Sequence, residues 1–335
     1  MTASLVILVA LASIYGFMNG FHDSSNIVAT MISSRAMAPR QALTLTAVAE
    51  FIGPFISGVA VARTIGSDLV SSEAINPAVI IAALLAAILW SLLTWYLGIP
   101  SSSSHALFGG ILGAAIVQAG TGVVHLAGLE KILVALLISP VLGLLVGYFL
   151  MKLVFLLVQN ATPRINRFFK RGQVLTAIAL GLTHGGNDAQ KTMGVIILGL
   201  VTGGALGSFQ TPIWVVALSA GSMAVGTLLG GWRLIHTLGM RLMKIRPVHA
   251  FTSQTASALV IFTALLLGGP VSVTHVISSA IMGVGSAERI SKVRWPVVGE
   301  IAWAWILTIP AAGLLAAGLS LVIQLVFRAS GAAGR

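Results

Sequence analysis

The chain has 335 residues, of which 57% are hydrophobic and only 8% are charged, and it contains no cysteine. Soluble domains carry about 25% charged residues, so a soluble protein is excluded, and the lack of cysteine excludes disulfides and thiolate metal sites. The formal net charge is +11. The Lys and Arg residues lie in short loops between apolar blocks, which is the pattern of membrane proteins and not of a nucleic-acid-binding protein.

Apolar blocks of roughly 20 residues, the length that spans a bilayer, follow one another along the whole chain. In chain order they cover residues 4–21, 41–62, 78–97, 104–119, 131–158, 173–187, 192–203, 213–231, 249–268, 272–287 and 297–327. The first block lacks a preceding basic region and a clear cleavage site, so we interpret it as a membrane segment. The pattern predicts an all-α polytopic protein of the lipid bilayer with about 10–12 transmembrane helices.

A short basic segment, QNATPRINRFFKRGQ, divides these blocks into two halves. Its positive charge predicts a cytoplasmic position. We therefore predict a first repeat over residues 1–158, a basic linker over 159–172, a second repeat over 173–327 and a short C-terminal tail over 328–335.

Three motifs occur in both halves in the same order. GFMNGFHDSSN, which contains Asp23, matches GLTHGGNDAQK, which contains Asp188. GIPSSSSHALFGG matches GGPVSVTHVISSA, and EKILVALLISPVLGLL matches EIAWAWILTIPAAGLL. Ordered matches of this kind predict an internal structural repeat.

Equivalent loops of the two halves carry opposite charge, as between loop 35–40 with two arginines and loop 203–212 with no charge. Because basic loops stay in the cytoplasm, the halves are predicted to be inverted, with both termini outside a bacterial or archaeal plasma membrane. Segments 1–34 and 173–203 are each expected to form one broken passage. Inverted repeats with broken or re-entrant helices at the midplane are typical of secondary transporters.

Asp23 and Asp188 stand in apolar surroundings at matching repeat positions. A charge at the bilayer centre costs at least about 2.5–3.5 kcal/mol, so such residues are functional candidates. Carboxylate and amide oxygens beside freed carbonyls suit Na⁺, and the carboxylates alternatively take up protons. The other interpretation is a pair of polar caps at helix breaks. We expect the coupling cation, and the metal if it is Na⁺, at Asp23, Asn26, Asn187 and Asp188, with no further cofactor.

Pro100 and Pro270 are expected to start helical turns or hairpin arms, which places the following hydroxyl residues at helix N-termini. Such termini favour anions, and two of them from inverted halves would converge near the midplane. The alternative is hydrogen bonding between helices. The predicted oxyanion ligands are Ser101, Ser102, Ser103, Ser104, Ser272, Thr274 and Gln190.

His105 and His275 follow the hydroxyl-rich stretches. We expect them to hold the helix pair behind the site, with capping of a helix terminus and titration as the alternatives. Lys191 is expected to pair with Asp188 or to face the anion, with snorkelling to the interface as the alternative. A serine beside a histidine also allows an intramembrane serine hydrolase. An enzyme needs one nucleophile, however, and the motif is duplicated, so we predict a transporter and no enzyme. A passive anion channel is a third alternative. The two acidic residues argue against it, because an anion pore gains nothing from fixed carboxylates.

GGNDAQKTMG (185–194), GIPSSSSHALFGGILG (98–113), GGPVSVTHVISSAIMG (268–283) and RWPVVGEIAWAWILTIPAAG (294–313) resemble the PiT family of inorganic phosphate transporters. The resemblance covers nearly the whole chain. It implies an inverted-repeat symporter that imports phosphate, or metal-phosphate, with Na⁺ or H⁺. A homodimer is a further expectation, and a sulfate permease of the same fold is the alternative. A carboxylate near the anion favours phosphate, because phosphate can donate a hydrogen bond to it.

By position in the motif, the Asn-Asp pair of the family matches Asn187 and Asp188. In the first half Asp23 and Asn26 match, whereas His22 replaces the usual asparagine, which favours proton coupling. The family's hydroxyl-rich pair falls on Ser102, Ser103, Ser104, Ser272 and Thr274, with Val273 as a departure from the pattern.

Overall fold

The computed structural model describes residues 2–67, 74–269 and 271–332. Pro270 and the last three residues of the predicted tail lie outside these ranges. The described residues form twelve α-helices: α1 (Ala3–Ser33), α2 (Pro39–Ile56), α3 (Ala60–Ser67), α4 (Pro77–Leu97), α5 (Ser103–Ala119), α6 (Leu126–Val158), α7 (Ile165–Thr202), α8 (Ile213–Leu229), α9 (Trp232–His236), α10 (Pro247–Leu266), α11 (Val273–Glu288) and α12 (Trp295–Ala332). Helix α7 thus begins inside the predicted linker, and α12 continues into the predicted tail.

Five of these helices, α1, α4, α6, α10 and α12, are long and apolar enough to cross a membrane. A sixth candidate is the pair formed by Ile213–Leu229 and Trp232–Arg241, which is bent by 62° at the intervening break. Two other helices do not meet this criterion, because α7 is too polar and α5 is only 17 residues long. Length and composition therefore establish a multi-pass membrane protein with a broken helix pair, and the count of 10–12 crossings stays a prediction.

Two helical hairpins, α4–α5 and α10–α11, carry the hydroxyl-rich motifs at their turns. Helices α4 and α10 both end just before a glycine in the left-handed region, Gly98 with φ +69° and Gly268 with φ +66°. Only glycine adopts this conformation without a steric cost. Pro100 lies between Gly98 and the N-cap Ser102 of α5. Of the two roles expected for Pro100, the start of a helical turn does not hold, because Ser102 caps α5. Pro100 instead lies in the turn that leads into the second arm of the hairpin.

The halves interlock through equivalent contacts. Helix α1 packs on α8 as α7 packs on α2, and α5 packs on α12 as α11 packs on α6. Helix α4 rests on α1 as α10 rests on α7. Each contact therefore has a counterpart related by exchange of the halves, as expected for two inverted repeats around one core.

The acidic motifs lie in unbroken helices, contrary to the prediction of broken passages. Asp23 lies within α1 and Asp188 within α7, and both helices run continuously through these residues. Neither motif contains proline, and a glycine inside a helix lowers its stability by only about 1 kcal/mol. The backbone hydrogen bonds of both helices therefore continue through the motifs. Consequently, neither helix frees a backbone carbonyl of its own beside its aspartate.

Candidate ion and oxyanion site

The two aspartates meet where α1 and α7 pass each other. A carboxylate oxygen of Asp23, one of Asp188 and a ring nitrogen of His184 all lie within 4.8 Å of one another. All three side chains are buried. The two repeats therefore bring their equivalent acidic residues into one site, as the sequence motifs predicted.

The tips of both hairpins reach this site and bind the same carboxylate. Ser103 Oγ donates to Asp23 Oδ2 at 2.8 Å, and Thr274 Oγ1 donates to Asp23 Oδ1 at 2.8 Å. Ser103 opens the first turn of α5, and Thr274 lies in the first turn of α11. One carboxylate thus joins the N-termini of two helices from opposite halves.

These N-termini are built alike. The Ser102 hydroxyl accepts from the His105 N–H at 3.2 Å, and the Ser272 hydroxyl accepts from the His275 N–H at 3.3 Å. The other N–H groups of a first helical turn have no acceptor within their own helix. Together with the helix dipoles they favour negative charge, so the point where the two helices converge attracts an anion.

Lys191 is buried completely and lies among three oxygen atoms. Its Nζ is 2.5 Å from Asp188 Oδ1, 2.6 Å from Ser104 Oγ and 3.1 Å from the carbonyl oxygen of Val271. Burial of an ammonium costs several kcal/mol unless partners of this kind compensate for the lost water. The pairing with Asp188 agrees with one of the two roles expected for Lys191, and its contacts with both hairpin tips place it inside the site.

A second buried acid, Glu50 of α2, reaches the site through His184. His184 Nδ1 lies 2.6 Å from Glu50 Oε1, and His184 Nε2 lies 3.5 Å from Asp188 Oδ2. Thr227 of α8 donates to the other oxygen of Glu50. The approach depends on Gly185, where an added Cβ would lie 2.2 Å from the carbonyl oxygen of Glu50. Sequence analysis missed His184, although its position four residues before Asp188 places both on one helix face.

His22 contacts the same oxygen of the Asp23 carboxylate as Thr274 does. His22 Nδ1 lies 3.0 Å from Asp23 Oδ1, and His22 Nε2 lies 3.4 Å from the Thr94 hydroxyl. Thr94 in turn is 2.8 Å from Ser101 Oγ. Ser101 therefore contacts the carboxylate only through Thr94 and His22, and lies one step behind the hairpin tip.

His105 and His275 stack against each other with ring centroids 4.5 Å apart, and Trp305 of α12 stacks on His275 at 4.0 Å. All of these rings belong to the hairpin tips or to a helix that packs on them. Their contacts hold the two tips side by side, which agrees with the bracing role expected for the histidines.

The model of the "Phosphate transporter family" matches residues 19–163 and, a second time, residues 157–316. The chain belongs to the phosphate transporter family. Two relatives, from Rhizobium meliloti and Bacillus subtilis, are each described as a probable low-affinity inorganic phosphate transporter. The first is 43% identical over 93% of this chain and 94% of its own length, and the second is 42% identical over 96% and 97%.

A solved structure described as "The sodium-dependent phosphate transporter" superposes with a TM-score of 0.89 over 97% of this chain and 100% of its own, at 24% identity. At this identity the match establishes the fold. Membership in a transporter family sets the hydrolase alternative aside. The double match of the family model supports the repeat found in the motifs.

One predicted anion ligand, Gln190, has hydrogen-bond partners on α3 and on its own helix. Gln190 Oε1 accepts from the backbone N–H groups of Val61 and Ala62 at 2.9 and 3.2 Å, and its Nε2 donates to the Gly186 carbonyl. Gln190 thus caps the first turn of α3 from a neighbouring helix. These hydrogen bonds occupy its amide, and its assignment to the oxyanion site stays a prediction.

Several buried polar atoms of α1 and α7 have no hydrogen-bond partner among the described residues. They include both amide atoms of Asn19 and of Asn187, together with Asn26 Oδ1, Asp188 Oδ2, Ser24 Oγ and Thr192 Oγ1. Buried polar groups nearly always have partners, so these atoms are chemically suited to a bound ion or to water. The oxygens of Asn26, Asn187 and Asp188 can thus still accept a cation, whereas the other oxygen of Asp188 is taken by Lys191.

Proposed function

We propose that this chain is a secondary active transporter that imports inorganic phosphate by symport with Na⁺ or H⁺. The observation that carries the proposal is the Asp23 carboxylate, which accepts hydrogen bonds from Ser103 and Thr274 at the N-termini of two helices from opposite repeats. The names of the relatives, including the sodium-dependent one, support phosphate as the substrate and a cation as the driving ion.

The oxyanion binds between the hairpin tips. The hydroxyl protons of Ser103 and Thr274 are donated to Asp23, so the donors left for the anion are the first-turn N–H groups and the hydroxyls of Ser102 and Ser272. These donors are neutral, and neutral donors allow both binding and release. Asp23 supplies the acceptor in this ring of donors. Phosphate at neutral pH retains a P–OH group that can donate to the carboxylate, whereas sulfate has no proton to donate. The carboxylate therefore favours phosphate over the sulfate alternative.

The coupling cation binds at Asp23, Asn26, Asn187 and Asp188, beside the anion. Its charge reduces the repulsion between the carboxylates and the incoming oxyanion. Because Asp23 is also the acceptor for both hairpin tips, cation binding and the position of the tips depend on each other. Movement of one bundle against the other then exposes the loaded site alternately to the two sides.

The cellular setting follows from the loop charges. The basic linker lies in the cytoplasm and both termini lie outside, in the plasma membrane of a bacterium or archaeon. The homodimer remains a prediction.

The proposal is tested by uptake of radiolabelled phosphate into proteoliposomes under an inward Na⁺ gradient and, separately, an inward proton gradient. We expect one gradient to drive accumulation above equilibrium and a tenfold excess of sulfate to compete weakly. Liposomes that contain Asp23→Asn protein serve as the matched control and should show no accumulation. Accumulation of sulfate but not phosphate, or phosphate flux that neither gradient concentrates, would contradict the proposal.

A further inference from the structure

Asn26 occupies, in the first repeat, the position three residues after the aspartate. Its Nδ2 lies 3.4 Å from Asp23 Oδ1, on its own helix, and 3.1 Å from Thr274 Oγ1, on the hairpin of the other half. The side chain thus links the carboxylate of one repeat to a hydroxyl of the other through a neutral donor.

Lys191 occupies the same position in the second repeat and makes the equivalent pair of contacts. It donates to Asp188 on its own helix and to Ser104 on the hairpin of the other half. The two side chains therefore make equivalent contacts but differ in charge, because the second repeat has an ammonium group where the first repeat has a neutral amide.

The Lys191 ammonium has no donor left for a substrate. An ammonium carries three N–H groups, and Asp188, Ser104 and the Val271 carbonyl provide three acceptors within 3.1 Å. Its side chain is 0% exposed. Lys191 thus serves as a fixed counter-ion for Asp188 and ties the two hairpin tips to α7.

The three acceptors are a carboxylate, a hydroxyl and a backbone carbonyl oxygen. Hard metal cations take the same kinds of ligand, and the backbone carbonyl before a helix start is a typical contribution in transporters. We infer that the Lys191 ammonium takes the place of a transported metal cation at Asp188, so that the second repeat supplies its own cation, which is not transported. This inference rests on the proposed cation symport.

The consequence is an asymmetric site. Asp188 has a permanent cationic partner from its own helix, whereas Asp23 is held by the neutral donors Ser103, Thr274 and Asn26 and contacts His22. A transported cation is therefore needed only to balance Asp23. Each phosphate is carried with one cation fewer than in a site where both aspartates bind transported ions.

The test is equilibrium binding of ²²Na⁺ to the purified full-length protein in detergent. Lys191→Asn copies the first repeat and should bind one Na⁺ per chain more than the wild type. The matched control, Asp188→Asn with Lys191→Asn, lacks the carboxylate and should bind no additional Na⁺. The inference is overturned if Lys191→Asn binds no more Na⁺ than the wild type, or if the double variant gains the same ion.

Phosphate binding to the same samples separates the remaining explanations. With Lys191→Asn we expect phosphate affinity to fall at least tenfold without Na⁺ and to recover at saturating Na⁺. A loss that Na⁺ does not restore identifies Lys191 as an anion ligand and overturns the inference. Lys191→Gln makes the same measurements possible if the Asn variant is not monodisperse. Absence of phosphate binding by the wild type would refute the proposed function alone, because the Na⁺ count still decides the role of Lys191.

Discussion

Thr274 Oγ1 lies 2.8 Å from Asp23 Oδ1, so a hydroxyl in the second repeat donates to a carboxylate in the first. Ser103 of the first repeat donates to the other oxygen of the same carboxylate. Neither half of the chain can form this arrangement alone. The oxyanion site is therefore a product of the interlocked repeats, and its properties should respond to changes in either half.

Removal of the bridging hydroxyls should weaken phosphate binding. Ser103→Ala and Thr274→Val each delete one hydrogen bond that positions the Asp23 carboxylate between the hairpin tips. A hydrogen bond to a charged group contributes about 1.5–3 kcal/mol. We expect the apparent KM for phosphate to rise roughly tenfold or more in each variant. The two effects should not be additive, because both residues bind one carboxylate.

Thr263→Val provides the control for these hydroxyl variants, because the Thr263 hydroxyl bonds only to the Leu259 carbonyl of its own helix at an exposed position. Its KM should equal that of the wild type. If Ser103→Ala and Thr274→Val also keep the wild-type KM, phosphate binding does not depend on the link between Asp23 and the hairpin tips.

Loss of the Asp188 carboxylate should destabilise the protein. Asp188→Asn leaves the buried Lys191 ammonium without its counter-ion, and breaking one partner of a buried pair costs about 3–5 kcal/mol. We expect a lower melting temperature in detergent, with part of the loss recovered in Asp188→Asn combined with Lys191→Met. Equal melting temperatures for the single variant and the wild type would show that the pair is not formed.

Glu50 should stabilise the folded protein through its contact with His184. Glu50→Ala removes the acceptor of both His184 and Thr227, and the buried histidine loses its partner, so we expect a destabilisation of about 3–5 kcal/mol. Thr227→Val removes one neutral donor, at a cost of about 1 kcal/mol. Thermal unfolding of both variants in one detergent provides the comparison. A smaller effect for Glu50→Ala than for Thr227→Val would contradict the proposed linkage.

Close packing of α2 on α7 should be sensitive to a single methyl group. Gly185→Ala places a Cβ 2.2 Å from the Glu50 carbonyl oxygen, which forces the helices apart. Gly221→Ala on α8 meets no atom within 4 Å and should be neutral or stabilising by about 0.5–1 kcal/mol. We expect the first variant to lose uptake and melt earlier, and the second to retain both properties. Similar behaviour of the two variants would argue against tight packing at Gly185.

The paired motifs made most of the site predictable. Matching positions placed Asp23 with Asp188 and the serine-rich turn with its counterpart, because a repeat brings equivalent residues to equivalent places. Sequence analysis missed the glycines at positions 98 and 268, although their positive φ marks the hairpin turns. Repeat symmetry therefore accounts for the pairing of the motifs.

The remaining features depend on packing between distant segments. Glu50 meets His184 only because α2 crosses α7 at Gly185, and Gln190 caps α3 because that helix offers two backbone donors there. Polar residues in the acidic motifs suggested broken helices, but Asp23 and Asp188 find tertiary partners in Ser103, Thr274 and Lys191 without any break in the backbone. Such partners are not visible in a single sequence.

In the proposed mechanism, the Asp23 carboxylate selects phosphate by accepting a hydrogen bond from its P–OH group. The direct measurement is equilibrium binding of radiolabelled phosphate and sulfate to purified wild type and Asp23→Asn at neutral pH. We expect the wild type to prefer phosphate by roughly 10- to 100-fold, the value of one charged hydrogen bond, and the variant to lose that preference. A variant that still prefers phosphate to the same degree would contradict the account.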